Sequence, residues 1–203
     1  MMFKPLSGNQ ILPSDFNFTS EEFLRLENWR IKKIQHPTKS THVYQLYWDR
    51  NEKVTNNTIH DSLKTFRNDL IYLQMAKSWS KNSHCNRMKV GCLMVKDKSI
   101  ISDGYNGSPT GFPNICEDEE MTTLPYVLHA EANAITKLAK STQSSDGSTI
   151  YVTLSPCFEC SKLIIQSGIK RVVFSEIYRK PDSIPFLIEA GIELVKINQF
   201  DHI

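Results

Sequence analysis

Four side chains in the second half of this chain have types and spacing suited to hydrolytic metal chemistry. His129 and Glu131 lie in "VLHAEANA", and Cys157 and Cys160 lie in "SPCFEC". Cysteines at i and i+3 in the first turn of a helix put both sulfurs on one face. There the positive end of the helix dipole favours thiolate over thiol. His129 supplies a nitrogen as third ligand. Three protein ligands leave one position of a tetrahedral zinc open, which marks a catalytic rather than a structural site. Zinc lowers the pKa of a bound water to about 7. A carboxylate beside the metal that does not ligate it can then take and return protons, and Glu131 has that place. Each piece alone has a plainer reading. A lone histidine in an alanine-rich helix is ordinarily a core residue, and a lone CxxC serves structural zinc or redox chemistry. No second CxxC is present to close a four-ligand site.

These side chains need a scaffold, and the surrounding pattern predicts one. "VGCLMV" and "SIISDGYN" read as two apolar strands joined by the turn "KDK", and "SPTGFPN" as a loop. "HAEANAITKLAK" is a good helix former, followed by the strand "STIYVTL". In "SPCFECSKLIIQSG" a helix is expected with Ser155 as cap, Pro156 at its first position and Gly168 past its end. The strand "RVVFSEI", the helix "SIPFLIEAG" and the strand "IELVKI" follow. Strand–helix–strand–helix–strand order implies parallel pairing with right-handed crossovers. The expected fold class is α/β: a three-layer α-β-α sandwich on a mixed five-stranded sheet with helices on both faces.

Upstream the signals differ. Residues 1–18 hold Pro5, Gly8, Asn9, Pro13, Ser14 and Asn17 and read as irregular. "TSEEFLRLENWRIKKI" reads as a helix, with Thr19 or Ser20 as cap, acids in the first turn and Lys32 and Lys33 in the last. "THVYQLYWD" reads as a strand, and Asn51, Asn56 and Asn57 mark a turn-rich passage. Leu63, Phe66, Leu70 and Leu73 recur at helical spacing, which predicts a helix from about Asp61 to Trp79. Residues 1–66 carry none of the chemistry-bearing motifs and are expected to form an N-terminal extension of unassigned role, with 67–203 as the expected catalytic domain.

The chain has 203 residues and a formal charge of +2. Nine basic and seven acidic residues precede Arg67, and the rest of the chain, Arg67 included, has fifteen of each, so the part expected to be catalytic is neutral. That disfavours a polyanion binder, whose basic residues concentrate into a footprint. Five cysteines without a secretory leader argue for metal ligands or buried thiols over a disulfide framework, and for a cytoplasmic setting. No apolar run spans a membrane.

The pattern H-A-E, 24 residues, then P-C-F-E-C matches the signature of zinc nucleobase deaminases. From about Asp69 to Ile197 the chain resembles the deoxycytidylate (dCMP) deaminase family of the cytidine deaminase superfamily. The resemblance is carried by "CNRMKVGCLMV", "IISDGYNGSPTGFPNIC", "LHAEANAI", "TIYVTLSPCFECSKLIIQSGIKRVVF" and "AGIELV". The zinc motifs are common to the superfamily. "GYNGSPTG" points to the nucleotide branch, because tRNA adenosine deaminases usually lack its Asn-Gly-x-Pro run.

The resemblance implies hydrolysis of dCMP to dUMP and ammonia, feeding thymidylate synthesis. It implies Zn2+ on His129, Cys157 and Cys160, Glu131 as proton shuttle, and Asn106, Ala130 and Ser155 at the substrate. Asn106 is equally an Asn-Gly turn former. Arg87, Lys89, Tyr178 and Arg179 are candidate phosphate contacts, or else solvated surface groups. The loop residues Gly104, Tyr105 and Gly107 are candidate contacts for a dCTP or dTTP effector with Mg2+. A homo-oligomer, dimer or hexamer, is implied as well. Cys85 and Cys116 match positions where some members hold a second zinc, to be completed here by His84, Glu117 or Asp118; two thiols are the alternative. Other readings are a deaminase of cytidine, tRNA or single-stranded nucleic acid, and a non-enzymatic zinc protein.

Overall fold

The segment Gly91–Lys96 is buried along almost its whole length, as a strand covered on both faces must be. It forms the inner part of the sheet that organises the protein. The computed structural model describes residues 29–35, 42–48, 56–179 and 182–197. The chain divides into two units, Met1–Thr65 and Phe66–Ile203.

In the first unit, β1 (Trp29–Gln35) pairs antiparallel with β2 (His42–Trp48), from Trp29 opposite Trp48 to Gln35 opposite His42. This corrects the helix expected over 19–34, at least for its second half. The stretch contains Trp29, Ile31 and Ile34, which suit a strand, and a β-rich partner segment decides against local helix signals. The first half of that expected helix and the irregular stretch 1–18 lie outside the described residues. Helix α1 (Asn56–Ser80) begins five residues before the expected Asp61, so Asn56 and Asn57 start a helix rather than a turn.

In the second unit, β3 (Gly91–Lys96), β4 (Ser99–Tyr105), β5 (Thr149–Leu154), β6 (Arg171–Glu176) and β7 (Glu193–Lys196) form one sheet in the order β4-β3-β5-β6-β7. The β3–β4 and β3–β5 joints are antiparallel, and β5–β6 and β6–β7 are parallel. The helices between them are α2 (Ala130–Leu138), α3 (Phe158–Gln166) and α4 (Ser183–Glu189).

Alternation along the strands makes two cores. Cys92, Met94, Ile150, Val152, Val172 and Phe174 pack with Ala134, Ile164 and Leu187 of α2, α3 and α4. Leu93, Val95, Tyr151 and Val173 pack on the opposite face with Leu73 and Ala76 of α1. The result is the expected three-layer α-β-α sandwich of cytidine deaminase-like type.

One polar cluster ties helix to sheet. Asp69 of α1, itself 3% exposed, takes a two-pronged hydrogen bond from Arg171 at 2.8 and 2.7 Å and a third from the Tyr151 hydroxyl at 2.7 Å. Arg171 also reaches Glu193 at 3.1 Å. Three acceptor bonds offset the cost of burying the Asp69 charge.

Two glycines set the helix-to-sheet distances. A Cβ at Gly91 would collide with the α1 backbone at Ala76 and Ser80. A Cβ at Gly104 would collide with the Ala130 carbonyl and stand 2.7 Å from the Ala134 nitrogen in α2. Both helices therefore sit closer to the sheet than any side chain would allow.

Candidate active site

The parallel strands β5 and β6 end at Leu154 and Glu176, and a cavity of about 390 Å³ opens beyond them. The carboxyl ends of parallel strands are where α/β sheets place their ligands. Two helices begin at this same edge, and the residue flanking the start of each carries a metal-binding side chain.

His129 is the N-cap of α2, in extended conformation (φ −72, ψ 157), and its ring makes no capping bond. The ring instead faces the sulfurs. Its Nδ1 lies 3.3 Å from Cys157 Sγ and 3.5 Å from Cys160 Sγ. Cys157 is the N-cap of α3, and its sulfur accepts from the Cys160 N–H at 3.5 Å. This corrects the expected cap: helix α3 starts two residues later than the Ser155 cap requires. The Ser155 hydroxyl is committed elsewhere, accepting from Tyr178 N at 2.8 Å.

The ligand atoms of His129, Cys157 and Cys160 all lie within 4.8 Å of one another. With zinc–sulfur bonds of about 2.3 Å and a zinc–nitrogen bond of about 2.0 Å, tetrahedral ligation separates sulfur from nitrogen by roughly 3.5 Å. The observed separations fit that ion. Among the described residues this is the one cluster of three such groups.

The charges suit a cation. Hydrogen bonds from Cys160 and His129 pull the Cys157 thiol down to about 4, against the opposing effect of burial. Cys160 is driven far up, first by sharing its proton with the Cys157 thiolate and then by burial. The His129 ring is raised, chiefly by its bond to Cys157. Sulfur, sulfur and nitrogen thus share protons that a divalent ion would displace.

Glu131 stands in the first turn of α2 and lines the same cavity. It is 4% exposed, and burial pushes its carboxyl up to about 7. His129, and a hydrogen bond from Cys160, oppose that rise. A carboxyl titrating near neutrality is suited to both accepting and donating a proton.

Of the other expected residues, Asn106, Ala130, Ser155, Arg87, Tyr178 and Arg179 line the cavity. Lys89, Gly104, Tyr105 and Gly107 do not. Gly104 is buried against α2, and Tyr105 gives its carbonyl to Asn133 Nδ2 at 2.9 Å. Gly107 exchanges backbone hydrogen bonds with Leu128. The close approach at Gly104 therefore serves helix packing. Asn106 Oδ1 accepts from Val90 N and its Nδ2 donates to the Met88 carbonyl, both at 2.8 Å. Its side chain thus holds the strand entry and keeps a second amide proton for a ligand. The Arg179 guanidinium stacks 5.6 Å from the Tyr178 ring.

Cys85 and Cys116 are both buried and are joined as a disulfide with Cα atoms 5.1 Å apart. This corrects the expectation of two thiols, and it leaves neither sulfur as the thiolate that a second zinc would need. The acids proposed to complete that second site have other partners. Asp118 accepts from Glu120 N and Thr122 N, and Glu117 accepts from Asn86 N and Arg87 N. Glu117, Thr123 and Glu176 are cavity residues that the sequence pattern did not single out for substrate.

The family model described as "Cytidine and deoxycytidylate deaminase zinc-binding region" matches residues 67–176. The chain belongs to this deaminase family. Deoxycytidylate deaminase of Enterobacteria phage T4 is 36% identical over 168 residues, covering 62% of this chain and 87% of the phage protein. Deoxycytidylate deaminase of Mycobacterium phage D29 is 37% identical over 120 residues, covering 52% of this chain and 92% of that one. Among solved structures, the dCMP deaminase from cyanophage S-TIM5 in complex with dCMP and dUMP aligns with a TM-score of 0.62. It is 48% identical and covers 63% of this chain and 94% of its own. His129, Cys157, the buried acid Glu131 and two arginines, Arg87 and Arg179, share one cleft.

Proposed function

We propose that this chain is a zinc-dependent deaminase that hydrolyses dCMP to dUMP and ammonia. The observation that carries the reading is the convergence of His129, Cys157 and Cys160 at zinc-compatible separations beside the buried carboxyl of Glu131. Similarity to deaminases so named, one of them solved with dCMP and dUMP, supports the choice of substrate. A cleft of about 390 Å³ suits a mononucleotide.

His129, Cys157 and Cys160 would hold the metal, which when bound supplies the Lewis acidity that makes water a nucleophile near neutral pH. Glu131 accepts the proton the water gives up. It passes that proton to the ring nitrogen N3 as the C4–O bond forms, then takes the second proton from the new C4 hydroxyl and delivers it to the amino group, so that the C4–N bond breaks and ammonia leaves behind a C4 carbonyl. A carboxyl with its ordinary acidity would be a poor donor in those later steps, so its burial serves turnover. Ala130, at the start of α2, has a backbone N–H without an intrahelical partner and offers it to the pyrimidine. The Ser155 carbonyl accepts from the 4-amino group, and the spare Asn106 amide proton faces the sugar. Arg87 and Arg179 are the cavity's guanidinium groups and would recognise the 5′-phosphate.

The family resemblance extends this reading to a cytoplasmic homo-oligomer, dimer or hexamer, regulated by dCTP and dTTP with Mg2+. Among the described residues no helix is long and apolar enough to cross a membrane. The test is ammonia release by the zinc-loaded full chain from dCMP, deoxycytidine, CMP and dCTP, with and without the triphosphates. Preference for dCMP is expected. Turnover of nucleosides or of RNA with none of dCMP would overturn the substrate.

A further inference from the structure

Glu117 is a buried carboxylate on the cavity wall whose hydrogen bonds come from backbone amides. It is 8% exposed, and its oxygens accept from Asn86 N at 3.1 and 3.2 Å and from Arg87 N at 3.3 Å. Among the described residues no ion pair to it occurs. A carboxylate costs several kcal/mol to bury unless donors surround it, so a site that keeps one has two amides well aligned to it. The consequence is local: the backbone of residues 86 and 87 is fixed.

Other links converge on this turn. The Cys85–Cys116 disulfide joins the residue before Asn86 to the residue before Glu117. Glu117 forms an antiparallel bridge with Thr123, and the Arg87 guanidinium donates to the Thr123 hydroxyl at 3.2 Å. Thr123 is itself held in its loop, because Leu124 N donates to the Cys116 carbonyl at 2.9 Å. Residue 117 therefore meets both parts of this support: its carboxylate holds the backbone that carries Arg87, and its main chain pairs with Thr123, the side-chain partner of Arg87. Arg87 and Thr123 both line the cavity.

The geometry points to Glu117 as a positioning residue that presents Arg87 to the anionic group of the substrate. This inference stands on the reading of the site as a mononucleotide deaminase and deepens it. An exposed arginine gives up about 2 kcal/mol of rotamer freedom when it binds a phosphate from an unrestrained start. A fixed Cα direction and one committed N–H remove part of that loss before the substrate arrives.

The experiment compares kcat/KM for dCMP with that for deoxycytidine, which lacks the phosphate, in the zinc-loaded full chain. Glu117→Ala lowers the dCMP-to-deoxycytidine ratio by about tenfold, the worth of one charge-assisted hydrogen bond, mainly through KM for dCMP. Glu117→Gln keeps an acceptor oxygen and recovers most of that loss. Arg87→Ala lowers the ratio at least as far, and the double variant Glu117→Ala/Arg87→Ala is no worse than Arg87→Ala alone, because the two act through one contact. If Glu117→Ala does not fold, Thr123→Val makes the same comparison through the other half of the support. A ratio that does not move, with both substrates falling together, would show a merely structural role and overturn the inference. Additive losses in the double variant would also overturn it. Absence of dCMP turnover in the unaltered chain is a different result, which removes the proposed function and this inference with it.

Discussion

Replacing Gly104 by alanine adds a single methyl at a tight contact between the sheet and the helix that carries Glu131. The added carbon would lie 2.7 Å from Ala134 N, nearer still to the Ala130 carbonyl, and 3.1 Å from Ala134 Cβ. Ordinary contact begins at 3.4 Å, and two of these three atoms are backbone. A rotamer change cannot relieve the clash, so α2 must withdraw from β4 by about 1 Å. Overpacking of this kind costs roughly 1–3 kcal/mol, which for a chain of this length lowers Tm by roughly 2–12 °C. The catalytic effect is larger in proportion. Ala130 is the clash partner, His129 precedes it and Glu131 follows it. A displacement of about 1 Å in catalytic groups costs on the order of 100-fold. The assay is kcat/KM for dCMP with bound zinc measured on the same sample, alongside a melting curve. Loss of two orders of magnitude with the fold retained is expected. Activity within threefold of the parent at an unchanged Tm would refute the account of Gly104 as the spacer that sets the catalytic helix.

Glu131→Gln keeps the shape and removes the titrating proton. It should cost about 10²–10⁴-fold in kcat while metal analysis still finds one zinc per chain, and surviving activity would assign the proton transfers elsewhere. Asp69→Ala leaves Arg171 buried with Glu193 as its one remaining carboxylate and strips the Tyr151 hydroxyl of its acceptor. A loss of about 3–5 kcal/mol in urea unfolding is expected, and a loss below about 1 kcal/mol would mean the cluster is stabilised in some other way. The Cys85–Cys116 bond closes a separation of 31 residues, for which chain entropy gives about 3–4 kcal/mol. Dithiothreitol should therefore lower Tm, and the Cys85→Ser/Cys116→Ser variant should melt at the same temperature with or without reductant. An equal response in both would place the effect at Cys157 and Cys160.

The convergence of His129, Cys157 and Cys160 was legible because its information is local. Each ligand sits at a helix start, and helix starts announce themselves through apolar periodicity and the residues before it. The central sheet was legible for the same reason, since β3, β5 and β6 are short apolar runs between turn residues. The hairpin β1–β2 was half missed: Lys32 and Lys33 read as the last turn of a helix, and the pairing of Trp29–Gln35 with a partner strand shows otherwise. The cap of α3 was misplaced because sulfur is an unusual capping acceptor and serine a common one. Glu117 could not be placed, because its partners are backbone amides thirty residues away, and amides carry no residue-type signal. The disulfide had the same difficulty, two cysteines with 31 residues of separation and nothing between them to fix the distance.

Cys157 has two employers. Its sulfur accepts from the Cys160 amide in the first turn of α3 and is also one of the three groups placed to hold a metal. Folding of that helix and ion uptake are therefore a single thermodynamic event read at two places. Any change that loosens the first turn of α3, however far from substrate, should appear as weaker zinc retention. Any chelator strong enough to strip the ion should, in turn, leave that turn frayed.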